Sequence, residues 1–151
     1  PINDLSFPKH NKDIPSVNSF GSSDDFPTTW DDFQVVSSFF RRVRQPVLLA
    51  IFDWEKAYRQ IPTAARQWPY LMIRNFDDKV ILDTRITFGG VAGCGTFGRP
   101  ADVWKMVIKA EFDLLEVFRW VDDNMLVKAL TSSTSMGEVV NRLNELGVKT
   151  N

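Results

Sequence analysis

The chain has 151 residues, 44% hydrophobic and 25% charged, with a formal net charge of -1. This is the composition of one folded domain with a core; it excludes a disordered or fibrous chain and gives no general basic field for a free-standing nucleic-acid binder. One cysteine, Cys94, and one histidine, His10, exclude a disulfide framework, a zinc site and a catalytic pair built on a second histidine, so metal chemistry would rest on carboxylates.

Residues 1–29 carry Pro, Ser, Asn, Asp and Gly in short clusters and predict a loop-rich lead-in segment, followed by one subdomain over 30–151. WDDFQVVSSFFRRV places Trp30, Phe33, Val36, Phe40 and Val43 at helical spacing. Thr28 or Thr29 is the expected N-cap, with Asp31 and Asp32 in the first turn and Arg41, Arg42 and Arg44 in the last. VLLAIFD after Pro46 predicts a buried strand, and Trp54 to Gln60 a short helix or turn. Tyr70 to Phe76 with Val80 to Phe88 predicts a hairpin around Asn75 to Lys79. The glycine-rich FGGVAGCGTFG reads as a flexible turn, Arg99 to Leu115 as a long helix, and FRWVDDNMLVK as a second hairpin. Ser135 and Glu138 form a capping-box signature for a last helix closing at Gly147. The order predicts an α+β fold, a mostly antiparallel sheet with helices on one face. The longest apolar run, PVLLAIF, is too short to span a bilayer and no signal peptide opens the chain, so a soluble intracellular protein, cytoplasmic or nuclear, with no membrane partner is expected.

Paired aspartates occur four times. Asp24-Asp25 and Asp31-Asp32 precede or open the predicted helix, and Asp77-Asp78 sits in a polar turn. Only Asp122-Asp123 lies between apolar flanks, where a hairpin turn explains the pair as readily as a site does. Asp53, an N-cap on the plain reading, ends the most apolar strand. If that strand lies beside the Asp122 hairpin, the acids meet at one sheet edge. Because strand side chains alternate, Asp122 is the expected main partner of Asp53. Carboxylates without His or Cys suit a hard cation such as Mg²⁺. GCGTFG, Gly93 to Gly98, spells G-x-G-x-x-G, but a dinucleotide site needs parallel strands and a strand-end acid about 20 residues on, where this chain has a helix and a hairpin. Among Trp54, Tyr58 and Trp68, most are read as core; Tyr58, five residues past Asp53, is the exception, a base-stacking candidate.

DWEKAYRQIP, ITFGGVAGCGTFGRPAD and FRWVDDNML, in that order and spacing, resemble the first three palm motifs of the reverse transcriptases of retrotransposons and retroviruses. DLSFP and VNSF resemble the end of the fingers more weakly, and LNELGVKTN the start of the fourth motif. The resemblance implies a polymerase palm in which Asp53, Asp122 and Asp123 hold two Mg²⁺ ions, with Mn²⁺ as a substitute, for transfer of dNTPs onto a primer 3′-hydroxyl along an RNA or DNA template. It implies that Tyr58 stacks under the incoming sugar and that Phe88, Gly89, Gly90 and Arg99 line the substrate. The sequence departs from the pattern with Trp120 for a usual Tyr, Thr87 for a common Pro, and Cys94-Gly95 for a small residue followed by Pro. Most of the fingers, the thumb and any RNase H region of a parent polyprotein are expected to lie outside this piece. Weak polymerisation by the chain alone, and self-association through faces those parts would cover, are expected with them. The competing expectation is a catalytically inactive palm-derived module that binds protein or RNA.

Overall fold

Strand-forming and helix-forming stretches settle into a mixed α+β structure with antiparallel sheets. The computed structural model describes residues 4–11 and 13–151, so part of the lead-in segment, residues 1–3 and Lys12, lies outside it. The elements are α1 (Phe33–Arg42), β1 (Val47–Asp53), α2 (Ala57–Gln60), β2 (Met72–Arg74), β3 (Val80–Leu82), α3 (Gly93–Glu111), β4 (Glu116–Trp120), β5 (Asp123–Ala129) and α4 (Met136–Glu145). Two short 3-10 turns, Val17–Phe20 and Ser23–Asp25, are the regular structure in the described lead-in residues. The chain forms two compact units that interleave in sequence instead of dividing at residue 29. One takes the residues up to Pro27 with Lys56–Phe97, and the other takes Thr28–Glu55 with Gly98–Asn151.

The second unit is built on a three-stranded antiparallel sheet in the order β1-β5-β4. Side chains alternate along each strand, so Phe52 and Arg119 face one side and Phe118 the other. Trp104 of α3 packs edge-on against Phe52 with ring centroids 5.3 Å apart, while Phe39 of α1 meets Phe118 at 5.3 Å. Helices therefore cover both faces and not one, because both faces carry aromatics that must leave water. The α1 cover is partial. VLLAIFD is correspondingly an edge strand and not a buried one, with Leu49 53% and Ile51 75% exposed, since β5 is its only ladder partner among the described residues.

Asp32, and not Thr28 or Thr29, caps α1: its carboxylate accepts the Val35 N–H at 2.9 Å. Asp31, expected in the first turn, lies outside the helix and accepts from the Arg119 N–H and from Lys105. The capping box of Ser135 and Glu138 forms as the sequence predicts, and Gly147, at φ +77°, follows the end of α4.

In the first unit Ala57, Tyr58, Ile86 and Phe97 are buried together. The β2–β3 hairpin is shorter than predicted, because Tyr70 belongs to a 3-10 turn and Asp83 leaves the ladder to bind Arg59. The largest departure concerns GCGTFG. It is no flexible turn but the first two turns of α3, which begins at Gly93 instead of Arg99 and ends at Glu111 instead of Leu115. Three glycines and Pro100 suggested a later start, as proline favours a first turn. Backbone does come close at Gly95, where an added Cβ would stand 2.4 Å from the Phe26 carbonyl oxygen.

Candidate active site

The β1–β5 ladder runs from Val47↔Ala129 to Asp53↔Asp123, so the strand-end acid and the hairpin acid form its last matched pair. Directly opposed residues share a face, and Asp123 is thereby the cross-strand partner of Asp53. Asp122 is the second residue of the two-residue turn between Trp120 and Asp123, where strand alternation no longer applies. In register, then, Asp123 stands opposite Asp53, while of the two charges Asp122 acts on Asp53 the more strongly, as expected of its principal partner. Electrostatically, though, all three interact. Burial raises the Asp53 pKa first, followed by the negative charges of Asp122 and then Asp123; the Asn151 side chain and the Trp54 N–H act in the opposite sense. Asp53 Oδ1 is buried and has no hydrogen-bond partner among the described residues.

Main-chain contacts tie the cluster together. The Asp122 carbonyl accepts from the Trp54 N–H at 3.3 Å and from Asn124 Nδ2 at 2.7 Å, and the Asp53 carbonyl accepts from the Asn151 N–H at 3.0 Å. Asp123 borders an open groove of about 400 Å³ lined by Val36, Ile51, Phe118, Trp120 and Met125. Trp120 also packs on Trp30 with centroids 5.1 Å apart.

No protein-family model matches the chain, and no curated protein is matched by it. The chemistry of the site therefore rests on its own residues. An all-oxygen donor set, mutual repulsion and an unpartnered buried carboxylate oxygen fit a hard divalent cation. Among the described residues, however, no three His, Cys, Asp or Glu side chains converge closely enough to form a ready metal cage. The aspartates stand as an electrostatic cluster.

The other predicted residues are distributed differently. Tyr58 is 3% exposed, and not the exposed aromatic the sequence suggested. Its ring stacks on Phe97 at 5.3 Å and touches Phe88 at 4.6 Å, and its hydroxyl lies 2.9 Å from Cys94 Sγ, so apolar burial claims the face a sugar would need. Trp54 is also buried, as most of these aromatics were read to be. Phe88 is 42% exposed. Gly89 adopts φ +94°, and its carbonyl accepts from Asn18 Nδ2. Gly90 is half-buried beside Leu5, and Arg99 is exposed on α3. GCGTFG lies inside a helix, and the described strands pair antiparallel throughout, so the setting a dinucleotide fingerprint requires is not formed. No helix among the described residues is long and apolar enough to cross a membrane.

Sequence reasoning passed over Arg119 and Asn124, each 1% exposed. The signal lay in FRWVDDN: parity puts Arg119 on the face of Val117, the inner one, where an arginine needs a reason.

Proposed function

We propose that the chain is the palm-like core of an RNA-directed DNA polymerase, transferring dNTPs onto a primer 3′-hydroxyl with RNA or DNA as template. The observation that carries the reading is the Asp53↔Asp123 pair beside Asp122, with Asp53 Oδ1 buried and unpartnered. Asp53, Asp122 and Asp123 would hold Mg²⁺, or Mn²⁺ in its place. A divalent ion bound there supplies Lewis-acid stabilisation of triphosphate charge and lowers the pKa of the attacking hydroxyl. Asp123 faces the groove edge where a primer end would be received, and Arg99 offers an exposed guanidinium for phosphate. Phe88, Gly89 and Gly90 remain the substrate-lining candidates, whereas Tyr58 in its buried position does not meet a sugar. With a net charge of -1, the chain depends on fingers, thumb and RNase H regions of a parent polyprotein for nucleic-acid grip and efficient synthesis.

The test is a Mn²⁺ titration followed by amide broadening in NMR spectra, with Mg²⁺ as competitor. Neighbours of Asp53 and Asp122 broaden together, and Asp122→Asn abolishes the effect. Broadening confined to Asp24-Asp25 and Asp77-Asp78 would sink the reading. The burial of Tyr58 and the lack of a ready cage favour a second reading, a catalytically inactive palm-derived module that binds protein or RNA; it predicts that second pattern.

A further inference from the structure

Arg119 and Asn124 are opposed partners in the β4–β5 ladder, both fully inside the unit. Between them the chain reverses through Val121 and Asp122. Val121 has φ +54°, a left-handed conformation that a β-branched residue adopts only under strain. A two-residue hairpin loop with a positive φ at its first position alone is of type II′, which ordinarily has glycine there. Something outside the turn must hold this one.

Each buried side chain grips one turn carbonyl. Arg119 Nη1 donates to the Val121 oxygen at 3.1 Å, and Asn124 Nδ2 donates to the Asp122 oxygen at 2.7 Å. Arg119 is itself anchored. Its Nη2 donates to Asp102 Oδ1 at 2.6 Å and to Thr29 Oγ1 at 3.2 Å, Thr29 hydrogen-bonds Asp102 as well, and the Arg119 N–H reaches Asp31. Meanwhile Arg119 Nε and Asn124 Oδ1 are buried without partners among the described residues. Burying incompletely satisfied polar groups is costly, and apolar residues would fill the space more cheaply. The Asp122 carbonyl is also the acceptor for the N–H of Trp54, next to Asp53.

We propose that Arg119 and Asn124 are positioning residues: a clamp on the Val121 and Asp122 carbonyls that fixes the Asp122 carboxylate relative to Asp53. This rests on the reading of the three aspartates as catalytic carboxylates. Outer groups that orient metal ligands typically change affinity about 10–100-fold when removed.

The test uses the chain carrying Arg119→Lys, which keeps a charge beside Asp102 but loses the planar fork, or Asn124→Leu, which removes the donor. Thr29→Val, which loosens Arg119 without touching a turn atom, serves where either variant fails to fold. Residual dipolar couplings at Val121 to Asn124 report turn geometry without metal, melting temperature reports the fold, and Mn²⁺ broadening reports affinity. Folded variants with a changed turn and Mn²⁺ affinity about 10-fold weaker at Asp53 and Asp122 are expected. An unchanged turn, or a changed turn with unchanged Mn²⁺ affinity, overturns the clamp. If wild-type broadening is indifferent to Asp122→Asn, the carboxylate reading itself has failed, a distinct result that the couplings do not mimic.

Discussion

Asp53 and Asp123 stand directly opposite one another at the end of the β1–β5 ladder, two carboxylates where a sheet ordinarily opposes unlike charges or apolar groups. The pair with Asp122 beside it works against folding at neutral pH, and the sign of that cost can be measured.

Asp53 binds its proton more readily in the folded chain than at its ordinary value of 3.8. The folded state therefore takes up protons first, and stability falls as pH rises from 3.8 through the raised native value. Asp53→Asn should be more stable than wild type at pH 7 by a few tenths to about 1 kcal/mol, with the gain shrinking as pH approaches 4. Millimolar Mg²⁺ should raise the wild-type melting temperature and leave the variant unmoved. Urea denaturation at both pH values decides; a variant less stable at pH 7 contradicts a cost from burial and repulsion of the Asp53 charge.

Asp83 behaves in the opposite sense. Burial pushes its pKa up, but the Arg59 hydrogen bond at 2.7 Å, the Arg85 N–H and the Arg59 charge outweigh it, and the net direction is down. Its contribution is complete above 3.8 and is lost as pH falls through the lowered value. Asp83→Asn should cost about 1–2 kcal/mol at pH 7, allowing for the solvent reaching Arg59, and should flatten the acid limb of the stability profile. An acid limb identical to wild type would rule this out.

Gly95 and Gly98 sit three residues apart in α3 and should respond with opposite signs. A Cβ at Gly95 meets Phe26 backbone at 2.4 Å, whereas one at Gly98 has Arg119 Nη2 at 3.8 Å as its nearest neighbour. Gly95→Ala should destabilise by about 1–3 kcal/mol through overpacking. Gly98→Ala should stabilise by up to about 1 kcal/mol through helix propensity. Thermal unfolding of both variants checks the pair, and equal effects would contradict the helical placement of GCGTFG.

Val121→Gly releases the left-handed strain but adds chain entropy to the unfolded state, costs of about 1–2 and 0.5–1 kcal/mol respectively. The net expectation is a stability unchanged or raised by up to about 1.5 kcal/mol, read from chemical denaturation. A loss of 2 kcal/mol or more would mean that the valine side chain packs in a way its half-buried position does not suggest.

Much of the second unit was legible because its signals are local: VLLAIFD for β1, the hairpin around Asp122, the capping box at Ser135. What escaped depended on distant partners. The helix through GCGTFG is secured by Phe26, far away in sequence, and propensity at three glycines points elsewhere. The exposure of Leu49 and Ile51 follows from β1 being at an edge, which composition does not reveal. Tyr58 lies in a core with Ile86 and Phe97, which arrive later in the chain. Asp53 and Asp122 were recognisable as a pair, but register decided which hairpin acid stands opposite Asp53.

The interleaving of the two units bears on the order of assembly. Among the described residues, β1 has no ladder partner until β5, 70 or more residues on, has been made and has returned to it. Contacts so separated in sequence close slowly, because loop entropy must be overcome before they form. During synthesis the apolar VLLAIFD strand should wait with both edges bare, vulnerable to pairing with its own kind, while the first unit's remaining residues emerge. The carboxylate cluster is thus among the last features to exist: Asp53 is made early, yet it meets Asp122 and Asp123 only when the sheet closes.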